Sequence, residues 1–135
     1  PAGAKVSELA AACPEDIKPR VSVKGMNCSL SGLQNQYEQL LQQGCAPEYV
    51  CKYCLLCVAE TLRRMAAAAL GLHPGLPVVF AGGVMSSGLI RDYITRRLPG
   101  AQFVPGKFAS DNAIGVSLLA AREVGAWPNT SASAR

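Results

Sequence analysis

A chain of 135 residues that is 50% hydrophobic and 16% charged carries enough apolar material for one domain with a packed core, which excludes a disordered protein. Its net charge of +4 is mild. The basic pairs Arg63-Arg64 and Arg96-Arg97 read as solvated helix faces, so charge does not support nucleic-acid binding by this piece alone. No stretch is long and apolar enough to span a membrane, and no basic, apolar leader opens the sequence, so the reading is cytoplasmic with no membrane contact. The start at Pro1 in place of Met reads as a processed or trimmed product.

In chain order, Pro1 to Ala4 read as a turn, and Val6, Leu9, Ala10 and Cys13 recur at helical spacing until Pro14 stops the helix. Val21 and Val23, then Cys28 and Leu30, alternate with polar partners, which predicts two short antiparallel strands turning near Lys24-Gly25. Ser31 is expected to cap a helix over 32–43, with Leu33, Tyr37, Leu40 and Leu41 as its apolar stripe and Gly44 as its stop. Pro47 suits the first turn of a long helix, about 48–70, that is apolar on most sides and therefore expected at the centre of the fold.

The stretch "PVVFAGGVMSSGLIRD", Pro77 to Asp92, predicts a strand, a glycine turn and a helix start. Val78 to Ala81 is a short apolar run without polar alternation, as in a strand covered on both faces. Gly82 and Gly83 permit a tight turn and close approach of a ligand, and Ser86 or Ser87 can cap the helix that follows. A buried strand ending at a bare glycine ledge is where open α/β sheets bind ligands; the bland alternative is an ordinary strand-to-helix turn with Gly chosen for geometry. Beyond a helix ending near Leu98, "AQFVPG" predicts another strand. A last helix follows with Ser110 or Asp111 as its cap and Ile114, Leu118 and Leu119 as its apolar positions. Residues 126–135 read as a frayed tail after one domain over 1–125.

Cys51, Cys54 and Cys57, with Cys45 upstream, have a spacing that invites a metal or iron–sulfur centre. On a helix such thiols drift around an arc, so core-facing thiols are the expectation, and the six cysteines are expected to stay reduced. His73 is the single histidine, so neither a multi-histidine zinc site nor a Ser/His/Asp set can be assembled. Asp111 is the carboxylate of interest: a helix cap by position, or alternatively a metal ligand at the end of an element.

Four segments in this order, "PAGA", "NCSLSGLQNQY", "VVFAGGVMSSGLIRD" and "FASDNAIGVSLLA", resemble the carboxyl-terminal half of the tRNA threonylcarbamoyladenosine-forming transferase family, also called the glycoprotease family. The family patterns read P-G-G-P, F-S-F-S-G-L-K-T, A-G-G-V-x-x-N-x-x-L-R and T-D-N-x-x-M-I-A. The resemblance covers almost all of 1–125. It implies an α/β fold, an RNase H-like lobe of the actin-like ATPase superfamily that includes sugar kinases, with a small mixed sheet and packed helices. It implies a transferase acting on tRNA adenosine, with an adenine nucleotide (ATP or an acyl-adenylate) and a divalent metal (Fe, Zn or Mg) enclosed between two lobes.

Carried over by position, Gly3, Gly82 and Gly83 would cradle adenosine, Ser87 stands where the family has asparagine, and Asp111 matches the metal-ligating aspartate. Gln34-Asn35 replaces the family K-T, and Ile114 or Gly115 replaces its methionine. The family's metal-binding histidines belong to the amino-terminal lobe, so this chain alone is expected to be inactive. The implied partners are that lobe, a family partner protein or a second copy of the chain, with tRNA reached only through the full-length protein. The alternatives are a non-catalytic paralogue serving as scaffold or dimer partner, and a small-molecule kinase of the same superfamily.

Overall fold

The computed structural model describes residues 2–106 and 113–125 and is a mixed α/β fold dominated by helices. Its axis is α3, Pro47–Leu72, against which α1 (Ala2–Ala12), α2 (Ser31–Gln42) and α4 (Gly88–Arg97) all pack. Proline at the first position and Glu48 in the first turn suit the start of α3, because proline has no N–H to leave unpaired and a carboxylate favours the positive helix end. His73 follows its last residue as an exposed cap whose backbone N–H donates to Ala69 O.

The two sides of α3 build two cores. Tyr53, Leu56 and Cys57 meet Cys13 and Ile17 from the segment after α1, and Leu33 of α2. Ala59 meets Met85, Ile90, Ile94 and Leu98, with Phe80 and Phe103 at the margin. Ile90 and Ile94 recur at helical spacing and are fully buried, each contributing about 2 kcal/mol through the apolar surface removed from water. The central position expected for the long helix follows from this two-sided burial.

Strands β1 (Val23–Lys24) and β2 (Asn27–Cys28) form an antiparallel hairpin about Gly25, as the alternation predicts. Strands β3 (Val79–Phe80) and β4 (Gln102–Phe103) pair in parallel, with α4 as the crossover between them. Phe80 and Phe103 lie in register and stack at 5.3 Å between ring centroids. Lys52 of α3 ties down the chain after α1, its Nζ donating to Cys13 O (2.8 Å) and Glu15 O (2.6 Å).

Several expectations are corrected. The single small sheet is two separate two-stranded ribbons among the described residues. Strand β3 is not covered on both faces: Val79 is 56% exposed. The opening segment is no turn: α1 begins at Ala2, so Gly3 lies within the first helical turn. Ser31 is the first residue of α2, not its cap; Leu30 holds that place without a side-chain bond. The last helix, α5 (Ala113–Glu123), leaves Leu119 64% exposed, not in a core. Ser110, Asp111, the side chains of Ile114 and Leu118, and the tail 126–135 lie outside the described residues. Among the described residues no helix is long and apolar enough to cross a membrane.

Candidate functional site

The glycine stretch folds as a ledge. Gly82 takes φ +106° and ψ 160°, a region closed to side-chain-bearing residues, and so reverses the chain after β3. A short 3-10 turn, Gly83–Ser86, follows, with Met85 N–H donating to Gly82 O at 3.0 Å and Met85 buried beneath it. Ser86 Oγ donates back to Gly83 O at 2.6 Å, which closes the turn. This turn separates the strand from α4, so the expected direct strand-to-helix capping is not what forms. Ser87 holds the cap position of α4 in extended geometry, but its hydroxyl makes no capping bond.

Above this ledge lies a groove of about 710 Å3. One wall is the first two turns of α1, with Gly3, Ala4 and Ser7. Leu55 of α3 and Ile90 of α4 give the apolar floor, and Gly83, Val84, Ser86, Ser87 and Gly88 complete the lining. The fold thus brings Gly3, Gly83 and Ser87, more than eighty residues apart at the extremes, to one groove. Gly82 shapes the turn without lining it, and Asp111 is outside the described residues.

Two details distinguish this groove from an ordinary turn. Ser87 is only 9% exposed, yet its Oγ has no hydrogen-bond partner among the described residues. A buried hydroxyl without a partner costs about 1–3 kcal/mol, so it is kept where something compensates. The second detail concerns the glycines. A Cβ added at Gly3 or Gly83 would meet nothing within 4 Å, and neither residue has positive φ. Packing and backbone geometry therefore demand glycine at Gly82 but not at Gly3 or Gly83.

No ionisable side chain lines the groove among the described residues; its polar groups are the serine hydroxyls and backbone. Such a surface suits a neutral, hydrogen-bonding, partly apolar group better than a phosphate. The thiols take no part in it. All six are free, and burial pushes Cys51 and Cys57 up from the ordinary thiol value, which disfavours a nucleophilic thiolate. Among the described residues, no three His, Cys, Asp or Glu side chains lie close enough to share a metal ion.

The sequence reading missed one charged cluster. Glu60 of α3, with a side chain 8% exposed, accepts from Arg63 Nε (2.7 Å) and a terminal nitrogen of the same guanidinium (2.9 Å), from Arg64 Nε (2.7 Å), and from Tyr93 Oη on α4 (3.1 Å). Arg97 stacks on Tyr93 at 3.9 Å. Arg63 is thus drawn into the helix interface, while Arg64, Arg96 and Arg97 are exposed, as expected of a solvated face. The bidentate Arg63 bond, ahead of the burial that opposes it, holds the Glu60 carboxyl down at about 2. The readable signal was Glu at i with Arg at i+3 and i+4 on one helix. Ser7 was readable too, one helical turn beyond Gly3. Comparison with protein-family models finds no match for this sequence, and comparison with curated proteins finds none.

Proposed function

We propose that this chain is the carboxyl-terminal, nucleotide-binding lobe of a threonylcarbamoyltransferase-like protein of the actin-like ATPase superfamily, acting on tRNA adenosine in the cytoplasm together with an amino-terminal lobe. One observation carries the reading. Gly3 from one motif and Gly83 and Ser87 from another, about eighty residues later, line a single groove beside a buried hydroxyl that has no partner among the described residues. The residues fit the nucleoside part of an adenine nucleotide. The Gly83 backbone lets a ring approach closely, Leu55 supplies apolar contact, and the Ser7 and Ser86 hydroxyls can meet a ribose or base edge, while Ser87 Oγ, which is buried, reaches a ligand only after its side chain rotates.

The uncharged lining divides the work between the lobes. This lobe would hold and orient the nucleoside and exclude water from its apolar edge, while phosphate contacts come from elsewhere in the two-lobed protein. An activated adenylate supplies the acyl group in such chemistry. Among the described residues no ionisable side chain lines this groove, so the contribution proposed for it is positioning.

Calorimetric titration with ATP plus magnesium, and with adenosine alone, tests this. Both ligands are expected to bind, and Gly83→Val is expected to abolish both, because its side chain fills the space above the ledge. Silence toward both ligands on this chain and on the two-lobed protein overturns the proposal.

A further inference from the structure

A second groove, of about 720 Å3, shares no lining residue with the first. It lies where the segment leading into β1 faces α2 and the start of α3. Along that segment burial alternates, with Ile17 buried, Lys18 exposed, Pro19 half-buried, Arg20 exposed and Val21 half-buried. This is the period of an extended chain, so Lys18 and Arg20 project to the same side, and both line the groove. Neither enters an ion pair among the described residues.

The opposite wall is built to donate. Gln36 and Gln39 lie on one face of α2, and Gln43, the residue that caps its end, follows them. Tyr53, a buried residue of α3, donates its hydroxyl to Gln36 Oε1 at 2.5 Å. With Oε1 engaged by that bond, Nε2 and its two hydrogens remain for another acceptor. Tyr53 is itself held by an edge-on contact with Tyr37, their ring centroids 6.1 Å apart. Two cations and a fixed amide donor thus face one polar space, with Tyr49 beside them and Asp16 as the one acidic lining residue.

We propose that this groove binds a small anion rich in acceptor oxygens, a phosphate ester or a polycarboxylate, with Arg20 and Lys18 as its charge partners, Gln36 as an oriented donor and Tyr53 as the positioning residue. The volume fits a ligand of metabolite size. Charge-assisted bonds from Arg and Lys are the stronger ones available here, and the Gln36 bond adds direction. The inference does not draw on the nucleotide groove.

The experiment is an NMR titration of the chain with inorganic pyrophosphate and, separately, with citrate. Saturable shifts are expected at Lys18, Arg20 and Gln36 with at least one of them, and which probe binds tells phosphate from carboxylate chemistry. Arg20→Ala is expected to weaken binding by about tenfold. Tyr53→Phe keeps the ring packing and removes only the hydroxyl. It is expected to weaken binding several-fold and to shift the Gln36 side-chain amide resonances in the free protein, which a purely structural tyrosine would not do. Gly83→Val is expected to leave the titration unchanged, which separates this site from the first groove. Absence of saturable shifts with both probes, unchanged binding in Arg20→Ala, or a short single-stranded RNA displacing either anion at lower concentration overturns the proposal.

Discussion

The Glu60 cluster and the Gly83–Ser87 groove each hold a buried polar side chain beside α4, and they treat it in opposite ways. At Glu60 both carboxylate oxygens are occupied, by two arginines from its own helix and by Tyr93 from the next. The result joins α3 to α4 and leaves nothing to offer a ligand. At Ser87 a hydroxyl is buried with no partner among the described residues, beside an open groove. A satisfied buried group reads as structure, and an orphaned one beside an open groove reads as a site.

The largest effect expected from breaking this contrast is at Glu60. Glu60→Ala leaves the partly buried Arg63 and the Tyr93 hydroxyl without their acceptor and is expected to cost about 3 kcal/mol, seen as a lower urea midpoint at unchanged slope. The acid dependence has a definite sign. The folded-state value of about 2 lies below the ordinary 4.5, so this contribution is fully present above 4.5 and is lost as pH falls toward 2. Glu60→Gln lacks that titration. The stability gap between wild type and Glu60→Gln is expected to be wide at neutral pH and to narrow through that window. A gap independent of pH would mean that packing, not charge, joins the two helices.

Next come the two adjacent glycines, which separate geometry from function. Gly82→Ala places a side chain at φ +106° and is expected to cost about 1–2 kcal/mol. Gly83→Ala meets open space at ordinary φ and is expected to change stability by less than about 0.5 kcal/mol, or to raise it slightly, while weakening adenosine binding. Thermal melts of the pair, with and without adenosine, check both. Equal destabilisation at the two positions would reduce the ledge to an ordinary turn.

These two regions were unequally legible in the sequence. The groove could be anticipated because glycine and serine punctuate strong strand and helix signals, and because α3 is so apolar that it has to be central. The helical start of α1 was hidden by Pro1 and Gly3, which look like turn residues until Ala2–Ala12 docks on α3 and tertiary packing overrides propensity. The separate ribbons were hidden because a two-residue strand carries no period. Glu60 was missed because charge on a helix was read as solvent-facing, although the i+3 and i+4 arginines show how a carboxylate can be carried into a helix interface with its partners.

The smallest effect is the sharpest test of the contrast. Ser87→Ala removes the orphaned hydroxyl and little else. In an ordinary cap position that change destabilises by about 1 kcal/mol, because a capping bond is lost. Here the cap bond does not exist and the oxygen is buried without a partner among the described residues, so the sign should reverse. A gain of about 0.5–1 kcal/mol in the free chain is expected, read as a small rise in melting temperature. The same variant is expected to lose part of its stabilisation by adenosine, because the ligand atom that satisfied Ser87 Oγ then has no partner. A protein made more stable and less able to bind by one deleted oxygen would be holding that oxygen for a ligand. A destabilised variant with unchanged binding would place Ser87 with Glu60, among the groups that serve the fold.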